Sequence, residues 1–198
     1  NTYMQTNLSC PSQKEIAQLI KPINLDDIKT EYILLKEYQG KQCSNRCRVG
    51  NNIVDYFTFE ERLKTKGKYN INFFEFIERI DEFKQKKFIQ NMLLYYQNVK
   101  NKNKTKNIWV VYKEVYNICI SAINIFRPLV AMEVYLKYNP KTVLDFTCGW
   151  GGRLVGACAL NVPNYIGIDI NSNLLNPYLE CFLYLNIPNI EEQLDPSL

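Results

Sequence analysis

The chain has 198 residues, 46% of them hydrophobic, enough for one good core and a smaller satellite. No apolar run approaches the roughly 18 residues a spanning helix needs, and the start NTYMQTNLSC lacks the basic flank and apolar block of a signal peptide. Lys and Arg number 24 against 20 Asp and Glu, a net charge of +4 that does not by itself imply nucleic acid, and the absence of histidine removes the usual general base and any Ser or Cys triad.

The front of the chain reads as helical. Ser12-Gln13-Lys14-Glu15 is a capping-box pattern behind Pro11, and the helix it starts should end near Lys21-Pro22. Asn24 then caps a second amphipathic segment through about Tyr38, with Ile28 and Leu35 on one side. Gln39 to Asn52 reads as an irregular loop carrying Gly40, Gly50 and the basic residues Lys41, Arg46 and Arg48. Ile53 to Lys64 and Asn72 to Ile80 are predicted as short helices, and Glu82 to about Val99 as a longer one. At helical spacing, Phe57, Phe59, Phe73, Phe74, Phe76, Tyr95 and Tyr96 are expected in the core rather than as platforms for stacking bases. The basic residues gather at Lys84-Gln85-Lys86-Lys87 and at Lys100, Lys102, Lys104 and Lys106. They suit either a phosphate-contacting surface or a solvated helix face followed by a linker, and both readings stay open.

Ile108 to Ile125 places Ile108, Val111, Val115, Ile118, Cys119 and Ala122 on one helix face. Pro128 disfavours helical geometry at Arg127, so Phe126-Arg127-Pro128 should break that helix, with Pro128 opening the next at its first turn. Val143 to Phe146 then reads as a buried parallel strand, closed by a turn with Gly149, Gly151 and Gly152 and continued as a helix from Arg153 to Leu160. Tyr165-Ile166-Gly167-Ile168-Asp169 forms a second strand, and Asn173 to Asn186 a last helix with Pro177 near its start. Residues 1–106 are thus expected as a mainly helical region, and 107–198 as an incomplete α/β half.

That strand, glycine turn, helix and acid-ended strand is how a nucleotide-like cofactor is held at a parallel sheet's edge. Glycines let the backbone approach a ligand, and the helix N-terminus favours an anionic group. Asp169, 18 residues after Gly151, could accept bonds from two ribose hydroxyls. A dinucleotide fingerprint would need a third glycine where Leu154 stands, and Asp145 suits a cationic amine better than a pyrophosphate, so S-adenosylmethionine is the better ligand. Arg153, a cation at a helix N-terminus, needs a compensating anion, and a ligand carboxylate or phosphate would serve.

VLDFTCGWGGR followed by YIGIDIN resembles the first two motifs of class I S-adenosylmethionine-dependent methyltransferases. With Phe126-Arg127-Pro128 upstream, the wording is similar to amino-methyltransferases of phages and large DNA viruses that act on DNA bases, and GNNIVDYFTFEERL resembles their lead-in. The resemblance implies a Rossmann-like sheet and a cofactor set of Phe126, Arg127, Asp145, Thr147, Gly149, Trp150, Gly151, Gly152, Arg153, Asp169 and Asn171. It also implies transfer of a methyl group to an exocyclic base amine, adenine in DNA, with nucleic acid as partner. RNA or protein methylation and a non-catalytic scaffold subunit are the alternatives.

The family's catalytic motif, an Asp, Asn or Ser followed by two prolines and an aromatic residue, does not occur in these 198 residues. Asp195-Pro196-Ser197-Leu198 lacks the second proline and the aromatic, so no catalytic residue is assigned, and a missing catalytic half or a partner subunit is expected. Seven cysteines without histidine offer no zinc site: Cys43 and Cys47 lack further ligands, and Cys119, Cys158 and Cys181 read as small core residues. Cys148 in the glycine turn has no histidine to activate it. A reducing, intracellular setting is expected, host cytoplasm or virion if the protein is viral.

Overall fold

The computed structural model describes residues 11–38 and 46–185. In chain order they form α1 (Gln13–Ile20), α2 (Leu25–Glu37), α3 (Asn51–Leu63), α4 (Phe73–Glu78), α5 (Ile80–Phe83), α6 (Lys87–Tyr95), α7 (Ile108–Cys119), α8 (Pro128–Tyr138), β1 (Thr142–Asp145), α9 (Gly152–Ala159), β2 (Asn164–Gly167) and α10 (Leu175–Tyr184). Single helical turns lie at Lys68–Asn70, Tyr96–Lys100 and Ser172–Leu174. The described chain is therefore mostly helical with one small parallel sheet, compatible with an α/β class. Two compact units emerge, residues 1–22 with 63–122 and residues 23–62 with 123–198. The expected division after residue 106 does not follow them, because α7 packs with the first set of helices while α2 joins α9 in the second.

In the first unit, α7 is the element the others pack on. It lies against α1, α4 and α6, presenting buried Val111, Val115, Tyr116 and Cys119. The Tyr116 ring stands 5.7 Å from Phe73 and 5.6 Å from Phe76, and Phe76 meets Phe83 at 5.2 Å. The Tyr116 hydroxyl donates to the Ile71 carbonyl, so the one polar tip in this aromatic cluster is satisfied. Ser12 caps α1 as its sequence requires, and Glu15 returns the bond to the Ser12 N–H at 2.7 Å.

Two helix lengths differ from expectation. Glu82 to Val99 is not one helix: α5 ends at Phe83, residues 84–86 turn, and α6 restarts at Lys87. On an unbroken helix of about 100° per residue, Phe83 and Ile89 would lie about 120° apart around the axis, too far round for one narrow buried stripe. With the break, both are buried. The expected helix from Ile108 to Ile125 stops at Cys119, and its predicted stripe holds at the buried Val111, Val115 and Cys119 but not at Ile108 and Ile118, 39% and 60% exposed, while Ala122 lies beyond the helix. Ile118, Ile120, Ile123 and Ile125 are β-branched and weak helix formers, so little opposes the stop. Tyr95 also differs, being exposed where core was expected.

The second unit buries Ile28 and Leu35 of α2, Ile53 and Val54 of α3, Leu129 and Met132 of α8, and Leu154 and Val155 of α9 in one cluster. Asn24 caps α2 with Asp27 in return, and the Glu31 carboxylate accepts from the Gly50 and Asn52 N–H groups at the start of α3. The Gln39 to Asn52 loop lies partly outside the described residues, and its last two residues are already helical. Pro128 does open α8, with Arg127 extended before it.

β1 and β2 pair in parallel with Val143 opposite Tyr165 and Asp145 opposite Gly167. Alternation gives the sheet two faces. Val143 and Tyr165 pack with Ala131, Tyr135 and Ala157 of α8 and α9. Leu144, Phe146, Ile166 and Ile168 point the other way and are exposed, Phe146 to 73%. The expectation of a buried strand over Val143 to Phe146 therefore holds for one face alone: the residues are apolar on both, yet among the described residues helices cover one.

Candidate functional site

The turn between β1 and α9 continues the strand pairing: Ile168 N–H donates to the Asp145 carbonyl at 2.8 Å, and Cys148 N–H to the Ile168 carbonyl at 3.1 Å. Gly151 caps α9 at φ +82, a backbone state L side chains rarely adopt. Gly152 sits so close to the chain entering α8 that an added Cβ would overlap the Phe126 carbonyl. The first helical bond runs from Val155 N–H to the Gly151 carbonyl, so the N–H groups of Gly152, Arg153 and Leu154 have no partner within α9's ladder.

Asp145 is the most heavily bonded group here. Its side chain is 6% exposed, and Oδ2 accepts from Arg153 Nε at 2.6 Å and from the Tyr165 hydroxyl at 2.5 Å, while Oδ1 accepts from Thr147 N–H at 3.4 Å. Burial pushes its carboxyl up, but the Arg153 and Tyr165 hydrogen bonds and the Arg153 charge together outweigh burial and hold it below its usual value. Arg153 also donates to the Thr147 carbonyl and lies 5.1 Å over the Phe126 ring. The anion that Arg153 needs at its helix N-terminus is thus Asp145 itself. This corrects the expectation of a ligand carboxylate or phosphate in that role, and it leaves a ligand amine at Asp145 in competition with Arg153.

Asp169 lies two residues beyond β2, half-buried, facing the turn. Gly149 N–H donates to Oδ2 at 2.7 Å and Asn171 N–H to Oδ1 at 2.8 Å. Each oxygen keeps a further lone pair for a ligand. The Asn171 side chain accepts from Asn173 N–H, the helix-cap role an Asn after a strand commonly takes.

Phe126 does lie beside the glycine turn, against Gly152 and Arg153. Arg127 instead reaches the Cys47 carbonyl at 3.4 Å. Trp150 packs at the edge of the second unit's core and, with Gly151, Val54, Phe57 and Tyr178, lines a small apolar cleft. Cys148 is buried, burial raises its thiol, and it donates to the Tyr178 hydroxyl, which donates to the Gly149 carbonyl. That chemistry suits packing, not nucleophilic attack.

Two residues of this cluster escaped the sequence reading. Tyr165 opens the second strand, and its one sign in the sequence is a lone phenol at a position whose register shares Asp145's face. Tyr178 was one aromatic on an apolar helix. Burial raises both phenols, and donation to Asp145 raises Tyr165 further. Among the described residues no group of His, Cys, Asp and Glu could hold a metal ion, and no helix is long and apolar enough to cross a membrane. No protein-family model, curated protein or solved structure matches the chain.

Proposed function

We propose that this chain carries the cofactor-binding half of an S-adenosylmethionine-dependent methyltransferase acting on an exocyclic base amine of nucleic acid, adenine in DNA. The observation that carries the reading is the half-buried Asp169 carboxylate beyond β2, fastened to the glycine turn through Gly149 N–H, with lone pairs left for vicinal hydroxyls. Gly151 and Gly152 give their space to Tyr178 and to the Phe126 carbonyl, whereas Gly149, at φ +57 with nothing nearer than the Thr147 carbonyl, leaves backbone that a ligand can approach. Asp169 would hold the ribose, Gly149 and Trp150 would flank the adenosyl group, and the first turn of α9 would face the carboxylate end. Phe126, through its ring on Arg153, would fix the wall beside them, with Arg127 and Asn171 setting the chain segments that enter and leave the site.

When bound, the cofactor supplies an electrophilic methyl group on a sulfonium sulfur. The residues named here bind and orient, and exclude water. A base in duplex DNA would have to be turned out of the stack to reach them. No catalytic residue is assigned within residues 1–198.

Two observations favour a second reading, a methyltransferase-like subunit that works with a partner or serves as a scaffold: Asp145 is already neutralised by Arg153, and the apolar sheet face of Leu144, Phe146, Ile166 and Ile168 is left exposed among the described residues. Isothermal titration with S-adenosylmethionine separates them. Binding that Asp169→Ala weakens at least tenfold is expected. No heat with the folded wild type would discard the cofactor reading and leave the scaffold.

A further inference from the structure

We infer that the helical unit of residues 1–22 and 63–122 is a surface for the phosphate backbone of a nucleic acid, with Lys68, Lys87, Lys100, Lys102 and Lys104 as its phosphate contacts. The net charge of +4 conceals a division. This unit holds 14 Lys and Arg against 6 Asp and Glu, whereas residues 23–62 and 123–198 hold 10 against 14. A lysine-rich coding bias would act on both units alike, yet one is +8 and the other −4. Charge of one sign on one part of a chain is the electrostatic footprint of a polyanion partner.

The acids of the basic unit are largely committed elsewhere. Glu15 closes the cap at Ser12, Glu75 meets Lys66, Asp81 meets Lys84, Glu82 meets Arg79, and Glu114 meets Lys106. Lys68, Lys87, Lys100, Lys102 and Lys104 are exposed and make no ion pair among the described residues. Lys68 lies 5.1 Å over the Tyr69 ring and Lys100 5.8 Å over Tyr95, so the cations sit beside exposed aromatic faces.

Placement adds a second observation. Lys86 and Lys87 occupy the N-cap and first position of α6, whose first turn has no acid. A cation there opposes the helix dipole and weakens the helix, so helix stability does not account for it. The same two features attract an anion, since the dipole and the ammonium groups add. From Lys87 to Lys100, along α6 and the turn after it, the backbone rises about 20 Å, which matches roughly six phosphates of one duplex strand.

The inference rests on the proposed function for the kind of polymer only, and the test keeps them apart. Fluorescence anisotropy of the full chain is measured against labelled duplex DNA, duplex RNA and polyglutamate over a range of salt. Either duplex should bind with affinity that falls steeply with salt, and polyglutamate should not compete at equal charge. Lys87→Gln, Lys100→Gln, Lys102→Gln and Lys104→Gln combined should flatten the slope of log affinity against log salt by about 3 to 4. They should leave the circular dichroism spectrum and the S-adenosylmethionine titration unchanged. Each single change should flatten it by about 1. A folded quadruple variant with the wild-type slope, equal competition by polyglutamate, or no binding to either duplex would each overturn the inference, while failure of the cofactor titration alone would overturn only the methyltransferase reading.

Discussion

Two Asp–Arg pairs lie in the same compact unit and differ in what they are free to do. Asp55 and Arg62 sit seven residues apart on α3, 4% and 9% exposed, and burial pulls the Arg62 guanidinium down to about 10 while its Nε has no hydrogen-bond partner among the described residues. Asp145 and Arg153 straddle the glycine turn, and Arg153 is 26% exposed with Phe126 as its wall. The first pair is sealed from water on both sides, so a ligand does not reach it. The second has a wet side, so a ligand group can compete for Asp145 or join Arg153. Burial of the cation, not the pair's chemistry, separates a structural ion pair from one that can serve a site.

The largest effect should come from opening the sealed pair. Asp55→Asn should lower unfolding free energy by about 3–5 kcal/mol in urea titration, because it strands a buried cation, whereas Asp55→Leu with Arg62→Met should restore most of it. An unchanged urea midpoint for Asp55→Asn would mean that Arg62 reaches water, and the contrast would be gone. Asp145→Asn should cost less, about 1–3 kcal/mol, since Arg153 can turn toward solvent.

Acid sharpens the same difference. Asp145 is held below its ordinary value in the fold, so its stabilising contribution is complete above about pH 4, its unfolded value, and is lost as pH falls further through the folded one. Stability measured from pH 5 down to pH 2 should fall less steeply in Asp145→Asn than in the wild type. An identical slope would show that the carboxylate is not favoured by the fold. The smallest effect belongs to an exposed cap: Ser12→Ala should cost about 1 kcal/mol by thermal unfolding, water taking over the freed N–H of Glu15.

How much was legible follows the range of each interaction. Ser12 with Glu15 and Asn24 with Asp27 were readable because a capping box is closed within three residues. The strand, glycine turn, helix and second strand were readable because glycine admits the positive φ that a tight turn needs between two apolar runs, and Pro128 fixes the backbone where α8 opens. The partner of Arg153 was not, although Asp145 is eight residues away, since the turn that brings them together also admits Tyr165 from β2. The division of charge exists only in the fold, where residues 11–22 and 63–122 pack as one unit.

Residue order alone determined where α1, α2 and α8 begin, that a glycine turn follows the first of two apolar strands, and that acids stand at both strand ends. Tertiary structure decided where α5 and α7 stop, which sheet face is covered, and which cation holds Asp145. The reason is physical: caps and turns draw on bonds among near neighbours, whereas burial sums contacts from distant segments and overrides weak local preferences.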